Sequence, residues 1–258
     1  MGHFPVKLTM ALLNYEVNPF GGAVLDENSL PAHKSDFQKA LSDTLTDLRS
    51  QNLQLVWLFL PLGKSGFVET AVALGFTYHH ADKNGLQLTL QLIPGAFIPG
   101  YATHYLGAGG VLIDEENRIL VIQEKYHTKR HYKLPGGALD PGEHIADAVV
   151  REVLEETGIR SEFISLNCFR HFHGYRYGLS DIYFVCRLKP LSTEITIDTS
   201  EISEALWMPL EEYLNHPDTH PFNRKIVSTT VNTVGLAINQ IEDYGTAESH
   251  EMFFAPGD

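Results

Sequence analysis

The chain has 258 residues, 43% of them hydrophobic, and a formal net charge of −13. That length exceeds one ordinary domain and leads us to expect two, each with enough apolar content for a core. The charge disfavours a nucleic-acid backbone or an anionic membrane as the main partner and suits a protein that binds its anions through local basic groups and metal.

No stretch approaches the ~18 apolar residues of a membrane span. LTMALL near the start is too short for a signal-peptide core, and Val6 spoils a myristoylation pattern. The expectation is a cytoplasmic protein. Cys168 and Cys186 lie in apolar runs without a C-x-x-C, which reads as free, buried thiols in a reducing compartment.

In chain order, Ser35 and Gln38 form a capping-box pair, and Phe37, Leu41, Leu45 and Leu48 then follow helical spacing to about Arg49. Residues 53–60 (LQLVWLFL) read as a largely buried strand. A second helix runs over about 65–74 with Gly75 as its stop, and 86–92 (LQLTLQL) alternates as a strand, with a further strand around 78–80. This pattern makes residues 1–95 a small α/β domain. Leu62-Gly63-Lys64-Ser65 has the end of a phosphate-binding P-loop, but Leu58 stands where the first glycine is required. His79 and His80 are adjacent on a strand, point to opposite sides, and read as structural.

Residues 93–104 (IPGAFIPGYATH) hold two Pro-Gly turns and no periodicity, which marks the boundary to a second domain, 96–258. A strand at 106–113, a turn at 114–117 and a strand at 119–124 read as a hairpin. Next comes KYHTKRHYKLPGG, which places Lys125, Lys129, Arg130 and Lys133 close together without an intervening acid.

The run 137–159, GALDPGEHIADAVVREVLEETGI, reads as loop, helix and stop. Pro141 and Gly142 break regular structure, a helical pattern covers 143–157, and Gly158 ends it. On a helical wheel Ala146, Val149, Val150, Val153 and Leu154 share one side, and Glu152, Glu155 and Glu156 cluster on the other. Like charges at these spacings destabilise a helix by about 0.2–0.5 kcal/mol per pair, and nothing basic among the three relieves them. A hard divalent ion would, since Mg²⁺ takes one or two carboxylates and fills its remaining positions with waters and substrate phosphates. A solvated acidic face is the plain alternative.

Beyond it, 162–172 and 182–188 read as strands. The loop between them, HFHGYRYGLSD, offers Phe172, Tyr175 and Tyr177 either for stacking on a nucleobase or as ordinary turn residues. A short strand at 206–208, the helix EEYLN, and a last helix over 222–241 follow. The tail after 244 is expected to be poorly ordered.

Gly137, Glu143, Arg151, Glu152, Val153, Glu155, Glu156, Gly158 and Ile159 fill every specified place of G-x(5)-E-x(7)-R-E-U-x-E-E-x-G-U, where U is a bulky aliphatic. The chain thus resembles the Nudix hydrolases. The resemblance implies an α/β/α sandwich with a mixed sheet, preceded by a small α/β domain similar to half of an acetyltransferase fold; the acetyl-CoA loop pattern is missing, so that activity is not assigned. It also implies hydrolysis of a nucleoside diphosphate linked to another moiety, with Mg²⁺ or Mn²⁺ as cofactor.

Carried over residue by residue, Glu152 and Glu156 ligate the metal. Glu155 adds a ligand for another metal or its water, the Gly137 carbonyl contributes, and Arg151 and Glu143 orient the helix face. Cations beside bound metal neutralise a diphosphate, which makes Arg130 and Lys133 the candidates for holding substrate phosphates, and Tyr175 the candidate for contacting the base. Glu201 is the candidate general base, with Glu155 the alternative.

The flanks FRHFH, SDIYFVCRLKP, EISEALWMP and GFTYHHAD extend the likeness over about 37–209. They point to the subgroup that includes plant enzymes cleaving ADP-ribose and NADH and an animal Nudix protein linked to a growth-factor antisense transcript, where related proteins make a homodimer the expected assembly. The SQPWPFPxS motif of bacterial NADH pyrophosphatases is absent, as is the proline of dedicated ADP-ribose hydrolases, where Gly174 and Tyr175 stand. Tyr175 and Tyr177 fall where diadenosine-polyphosphate hydrolases place a tyrosine. ADP-ribose with NADH leads, and dinucleoside polyphosphates, CoA derivatives and capped RNA trail. The rival from another class, a non-catalytic nucleotide sensor, has no need of three clustered carboxylates.

Overall fold

The computed structural model describes residues 12–126 and 131–257. The chain divides between Ala102 and Thr103 into two compact units.

The first unit is built from β1 (Tyr15–Val17), β2 (Gly22–Leu25), α1 (Lys34–Ser50), β3 (Leu55–Pro61), α2 (Val68–Ala73), β4 (Thr77–Ala81) and β5 (Gly85–Gln91). Its five-stranded sheet has the order β1-β2-β3-β5-β4, parallel only between β2 and β3. Strand alternation sends Val56, Leu58 and Leu60 into a core with Phe37, Leu41, Leu45 and Leu48 of α1.

Three local expectations need correcting here. α1 starts at Lys34 with His33 as N-cap and no side-chain cap, so Ser35 lies inside the helix and the capping box does not form. The second helix opens as a tighter 3-10 turn over Leu62–Phe67 and becomes α-helical only at Val68. The β4–β5 register shifts between Tyr78 and His80; this bulge turns His79 and His80 toward each other, with their Nδ1 atoms 2.7 Å apart, and His80 stacks on Tyr101 at 4.1 Å.

The second unit contains β6 (His104–Leu112), β7 (Arg118–Glu124), β8 (Gly136–Ala138), α3 (Ile145–Thr157), β9 (Ser161–Phe172) and β10 (Ser180–Pro190). It continues with β11 (Ile202–Pro209), α4 (Leu210–Asn215), α5 (Pro221–Asn232), β12 (Ala237–Ile238) and β13 (Phe253–Phe254). A mixed sheet runs β8-β6-β10-β9, parallel between β6 and β10, while β7 pairs with β11 in a separate antiparallel sheet. Helices cover both sides. Val149 and Val153 of α3 pack with Ala108, Leu112 and Leu120, whereas Ile119 and Val121 turn the other way, toward Tyr213, Ile226 and Val227 of α4 and α5. The alternation along β7 therefore feeds both layers of an α/β/α sandwich.

β6 and β7 do not form the expected hairpin. The turn is there, with the Asp114 carboxylate accepting the Arg118 and Glu116 amides at 2.8 and 3.0 Å. Yet only the bridge Ile113↔Ile119 joins the strands, because β8 takes the free edge of β6. That pairing depends on glycine: Gly136 has φ +147°, and a side chain there would collide with the Ala108 carbonyl.

The last helix stops at Asn232, short of the expected 241. Thr230, Asn232 and Thr233 hydrogen-bond the carbonyls four residues back, a pattern that competes with helix continuation, and Gly235 at φ +80° turns the chain. The tail after 244 is also structured. β13 pairs with β12, and Phe253 lies 5.9 Å from the ring of Phe163. Cys186 is buried, Cys168 half-buried, and both are free. Among the described residues no helix is long and apolar enough to cross a membrane.

Candidate metal and substrate site

The 137–159 run folds as read, with one telling exception. α3 ends on Gly158, left-handed at φ 71°, whose amide donates to the Leu154 carbonyl at 2.8 Å. Ala146, Val149 and Val153 are buried as expected. Leu154, however, is 46% exposed, while Glu156 is only 7% exposed. The helix is rolled so that a carboxylate is buried where a leucine could have been, and burying a charge without a partner is costly.

Two consecutive glycines receive the helix. The Gly136 amide donates to Glu156 Oε2 at 2.7 Å. A Cβ on Gly137 would stand 2.5 Å from Glu152 Oε2, so only glycine lets Glu152 lie against this loop. Burial pushes the Glu156 carboxyl up to about 7, against the opposing pull of Lys133 and the Gly136 amide. Burial also raises Glu152, with Arg151 opposing.

Arg151 is the organiser of the exposed half of the cluster. Its Nε and Nη2 grip Glu143 at 2.7 and 2.8 Å, its Nη1 reaches Glu152 at 2.9 Å and Glu155 at 3.0 Å, and Nη2 also donates to the Ala138 carbonyl at 3.2 Å. That bidentate grip holds Glu143 below the usual carboxylate range. The reading that nothing basic relieves the three glutamates is thus corrected for two of them.

Lys133 pairs through its backbone with Ile122 and through Nζ with Glu124, placing a cation in the field of Glu156. Arg130 lies outside the described residues. Glu201 is exposed in the turn just before β11, and its carbonyl accepts the Lys125 amide at 2.8 Å. It therefore stands at the same end of the β7–β11 pair as Glu124, a residue that sequence reasoning did not single out.

Tyr175 is half-buried, edge-on to Tyr105 at 5.5 Å, with the Arg176 guanidinium 5.4 Å from its ring. Tyr177 is 90% exposed. The better-built aromatic group is one the sequence did not reveal. Arg170 is ion-paired to Asp181 and lies 5.4, 5.7 and 5.2 Å from the rings of Phe172, Tyr183 and Phe222, with a buried Nε that has no partner among the described residues. A Cβ on Gly107 would touch both the Gly137 carbonyl, at 3.1 Å, and the Tyr183 ring, at 3.3 Å. The cluster therefore adjoins the glycine loop. A separate open cleft of about 540 Å³, between residues 113–118 and 189–193, contains none of these residues.

Among the described residues no three His, Cys, Asp or Glu side chains stand as a ready-made metal cage; Arg151 holds Glu152 and Glu155 instead. Mg²⁺ or Mn²⁺ asks for less, one or two carboxylates with waters and phosphate completing the shell. Glu152 and Glu156 on adjacent glycines supply hard oxygen donors. The buried Glu156 carboxyl, raised to about 7, is a group that a cation would return to its charged form. The residues present fit such an ion.

A family model described as NUDIX domain matches residues 103–229, and one described as Nudix hydrolase domain matches 13–92. The chain is 38% identical over 212 residues to Nudix hydrolase 8 of Arabidopsis thaliana, covering 80% of this chain and 58% of that relative, less than two thirds of its length. It is 39% identical over 222 residues to nucleoside diphosphate-linked moiety X motif 6 of Homo sapiens, covering 83% and 70%. With Nudix hydrolase 2 of Arabidopsis thaliana it shares 42% identity over 201 residues, covering 76% and 72%. A solved NUDIX hydrolase from Nitrosomonas europaea aligns at 25% identity and TM-score 0.42, over 48% of this chain and 86% of that one.

Proposed function

The chain belongs to the Nudix hydrolase family, enzymes that use a divalent metal to hydrolyse a nucleoside diphosphate linked to another moiety, and from that premise we propose that it cleaves the pyrophosphate of ADP-ribose, of NADH, or of both, releasing AMP and a phosphorylated product. The observation that supports metal-dependent hydrolysis is the seating of Glu152 and Glu156 against Gly137 and Gly136, with Glu156 buried and its carboxyl lifted to about 7; the choice of ADP-ribose and NADH rests on the resemblance of the flanking segments.

In this reading Glu152 and Glu156 would hold Mg²⁺ or Mn²⁺, with Glu155 and the Gly137 carbonyl as further donors. When bound, the metal supplies charge that neutralises the diphosphate and lowers the pKa of a water. Arg151, locked by Glu143, keeps Glu152 and Glu155 aimed along the helix face. Lys133, with Arg130, neutralises phosphate oxygens as negative charge moves to the leaving group. Glu201 accepts a proton from the attacking water, Glu155 being the alternative. Arg170 with Phe172, Tyr183 and Phe222, beside the Gly137 loop, offers a platform for a purine, and Tyr175 a further aromatic contact. The second domain, read from the sequence as 96–258 and compact from Thr103 onward, carries this chemistry, the residues before it form a separate domain, and the assembly is a homodimer.

The test is to incubate the purified protein with Mg²⁺ or Mn²⁺ and ADP-ribose, NADH, NAD⁺, FAD, diadenosine polyphosphates, CoA and capped RNA, separating the products by chromatography. Metal-dependent AMP release from ADP-ribose or NADH, faster than from the rest of the panel, is the expected result. Faster cleavage of another member reassigns the substrate, and tight binding without cleavage replaces the enzyme with a nucleotide sensor.

A further inference from the structure

The amide end of the box helix is closed by a side chain from the far end of the chain. α3 begins at Ile145, and its N-cap residue His144 makes no side-chain capping bond; the His144 Nε2 meets the Ala247 carbonyl at 2.9 Å instead. The vacant capping role is taken by Glu251, whose carboxylate accepts the Ile145 amide at 2.7 Å through Oε2 and the Ala146 amide at 3.0 Å through Oε1. Two of the four orphan amides of the helix start are satisfied in this way, and a negative group meets the positive end of the helix dipole.

Glu251 is held on both sides. The Asn239 amide donates to the Met252 carbonyl at 3.0 Å, β12 and β13 pair at Ala237↔Phe254 and Ile238↔Phe253, and Phe253 packs against the core layer under α3. The strap is therefore part of the folded domain and grips the helix at a defined point.

That point matters because Glu152 and Glu156 ride on the same rod, about two and three turns further along. Gly137 leaves no room for a Cβ beside Glu152, and Gly136 holds Glu156 through a single amide, so a small slide or roll of α3 changes both fits. We propose that Glu251 is a positioning residue that fixes the box helix in the register at which Glu152 and Glu156 take up a divalent cation, making the tail beyond residue 246 a working part of the hydrolase domain. The proposal rests on the assignment of Glu152 and Glu156 as metal ligands made above.

The experiment compares full-length wild type with Glu251→Ala, Glu251→Asp and Glu251→Gln, all well below their melting temperatures. Mn²⁺ binding is followed by electron paramagnetic resonance, amide exchange at 145–149 is measured in metal-free protein, and turnover is recorded against Mg²⁺ concentration. In Glu251→Ala the Mn²⁺ affinity and half-saturating Mg²⁺ should each worsen about fivefold, the scale of losing one helix cap, with faster exchange at Ile145 and Ala146 and kcat at saturating metal nearly unchanged.

Aspartate, one methylene short of the amides, should behave similarly and serves if the alanine variant does not fold. Glutamine, which keeps one of the two acceptor oxygens and loses the charge at the helix end, should recover only part of the affinity. Wild-type Mn²⁺ affinity in both Glu251→Ala and Glu251→Asp, or lower melting with unaltered metal dependence, would reduce the tail to a structural strap and overturn the proposal. If the wild type turns over nothing while the Mn²⁺ and exchange results appear as expected, the hydrolase reading fails and the positioning role stands.

Discussion

Replacing Glu156 by glutamine should make the metal-free protein more stable than the wild type at pH 8 and no more stable near pH 4.5. Glu156 is 7% exposed, and burial lifts its carboxyl from the ordinary 4.5 to about 7. A carboxyl that binds its proton more tightly in the fold than in the open chain favours the folded state fully at low pH; that advantage drains away as pH climbs from 4.5 to about 7. At ~1.4 kcal/mol for each tenfold change in proton affinity, the loss is complete above pH 7 at about 3 kcal/mol.

Glutamine has the same shape, keeps an oxygen for the Gly136 amide and never ionises, so it escapes the loss. With ~2–4 °C of melting temperature per kcal/mol for a protein of this size, scanning calorimetry in the presence of chelator should show the two proteins melting together at pH 4.5 and roughly 6–12 °C apart at pH 8. Added Mg²⁺ should raise the wild type at pH 8 and leave the variant nearly where it was. Parallel curves across this pH range would mean that the carboxyl titrates as an ordinary one, and the argument that this helix needs a cation would fall.

Glu152→Gln should leave the fold intact and lower turnover at least about a hundredfold, the scale of losing a principal electrostatic contributor; near-normal turnover removes Glu152 from the metal site. Gly137→Ala places a methyl 2.5 Å from Glu152 Oε2, so Mn²⁺ binding measured by paramagnetic resonance should weaken at least tenfold, and an unchanged affinity would show that the glycine loop is not part of the site. Arg170→Met, combined with Asp181→Asn so that no buried charge is stranded, should raise KM for ADP-ribose about tenfold with kcat retained; an unaltered KM assigns the base to another surface.

The sequence revealed the box well and its surroundings poorly, for identifiable reasons. Helical spacing and Gly158 are local signals, and they placed α3 correctly. A wheel built on 100° per residue cannot tell how far a helix is rolled, and so it put Leu154 on the packed face and Glu156 on the opposite one, whereas Leu154 is exposed and Glu156 buried. The 114–117 turn announces that the chain reverses but not which edge the next strand will choose; a glycine-lined edge on β6 let β8 take that place. Residues 222–241 carried apolar side chains at loose helical spacing, while the back-bonding of Thr230, Asn232 and Thr233 gives no signal of hydrophobic period. Arg170 and Glu251 draw their meaning from partners on other elements, which no single stretch of sequence displays.

The parallel pairing of β6 with β10 sets His104 against Ser180, so β7, β8, α3 and β9 all lie inside the loop that this pairing closes. A chain emerging from a ribosome therefore makes α3 well before the strand that completes the sheet beneath it. Short-range pieces such as α3 can form at once, whereas pairing between residues so distant in sequence is slow. During synthesis the acidic face of α3 therefore waits beside an unfinished sheet until β10 arrives to join it.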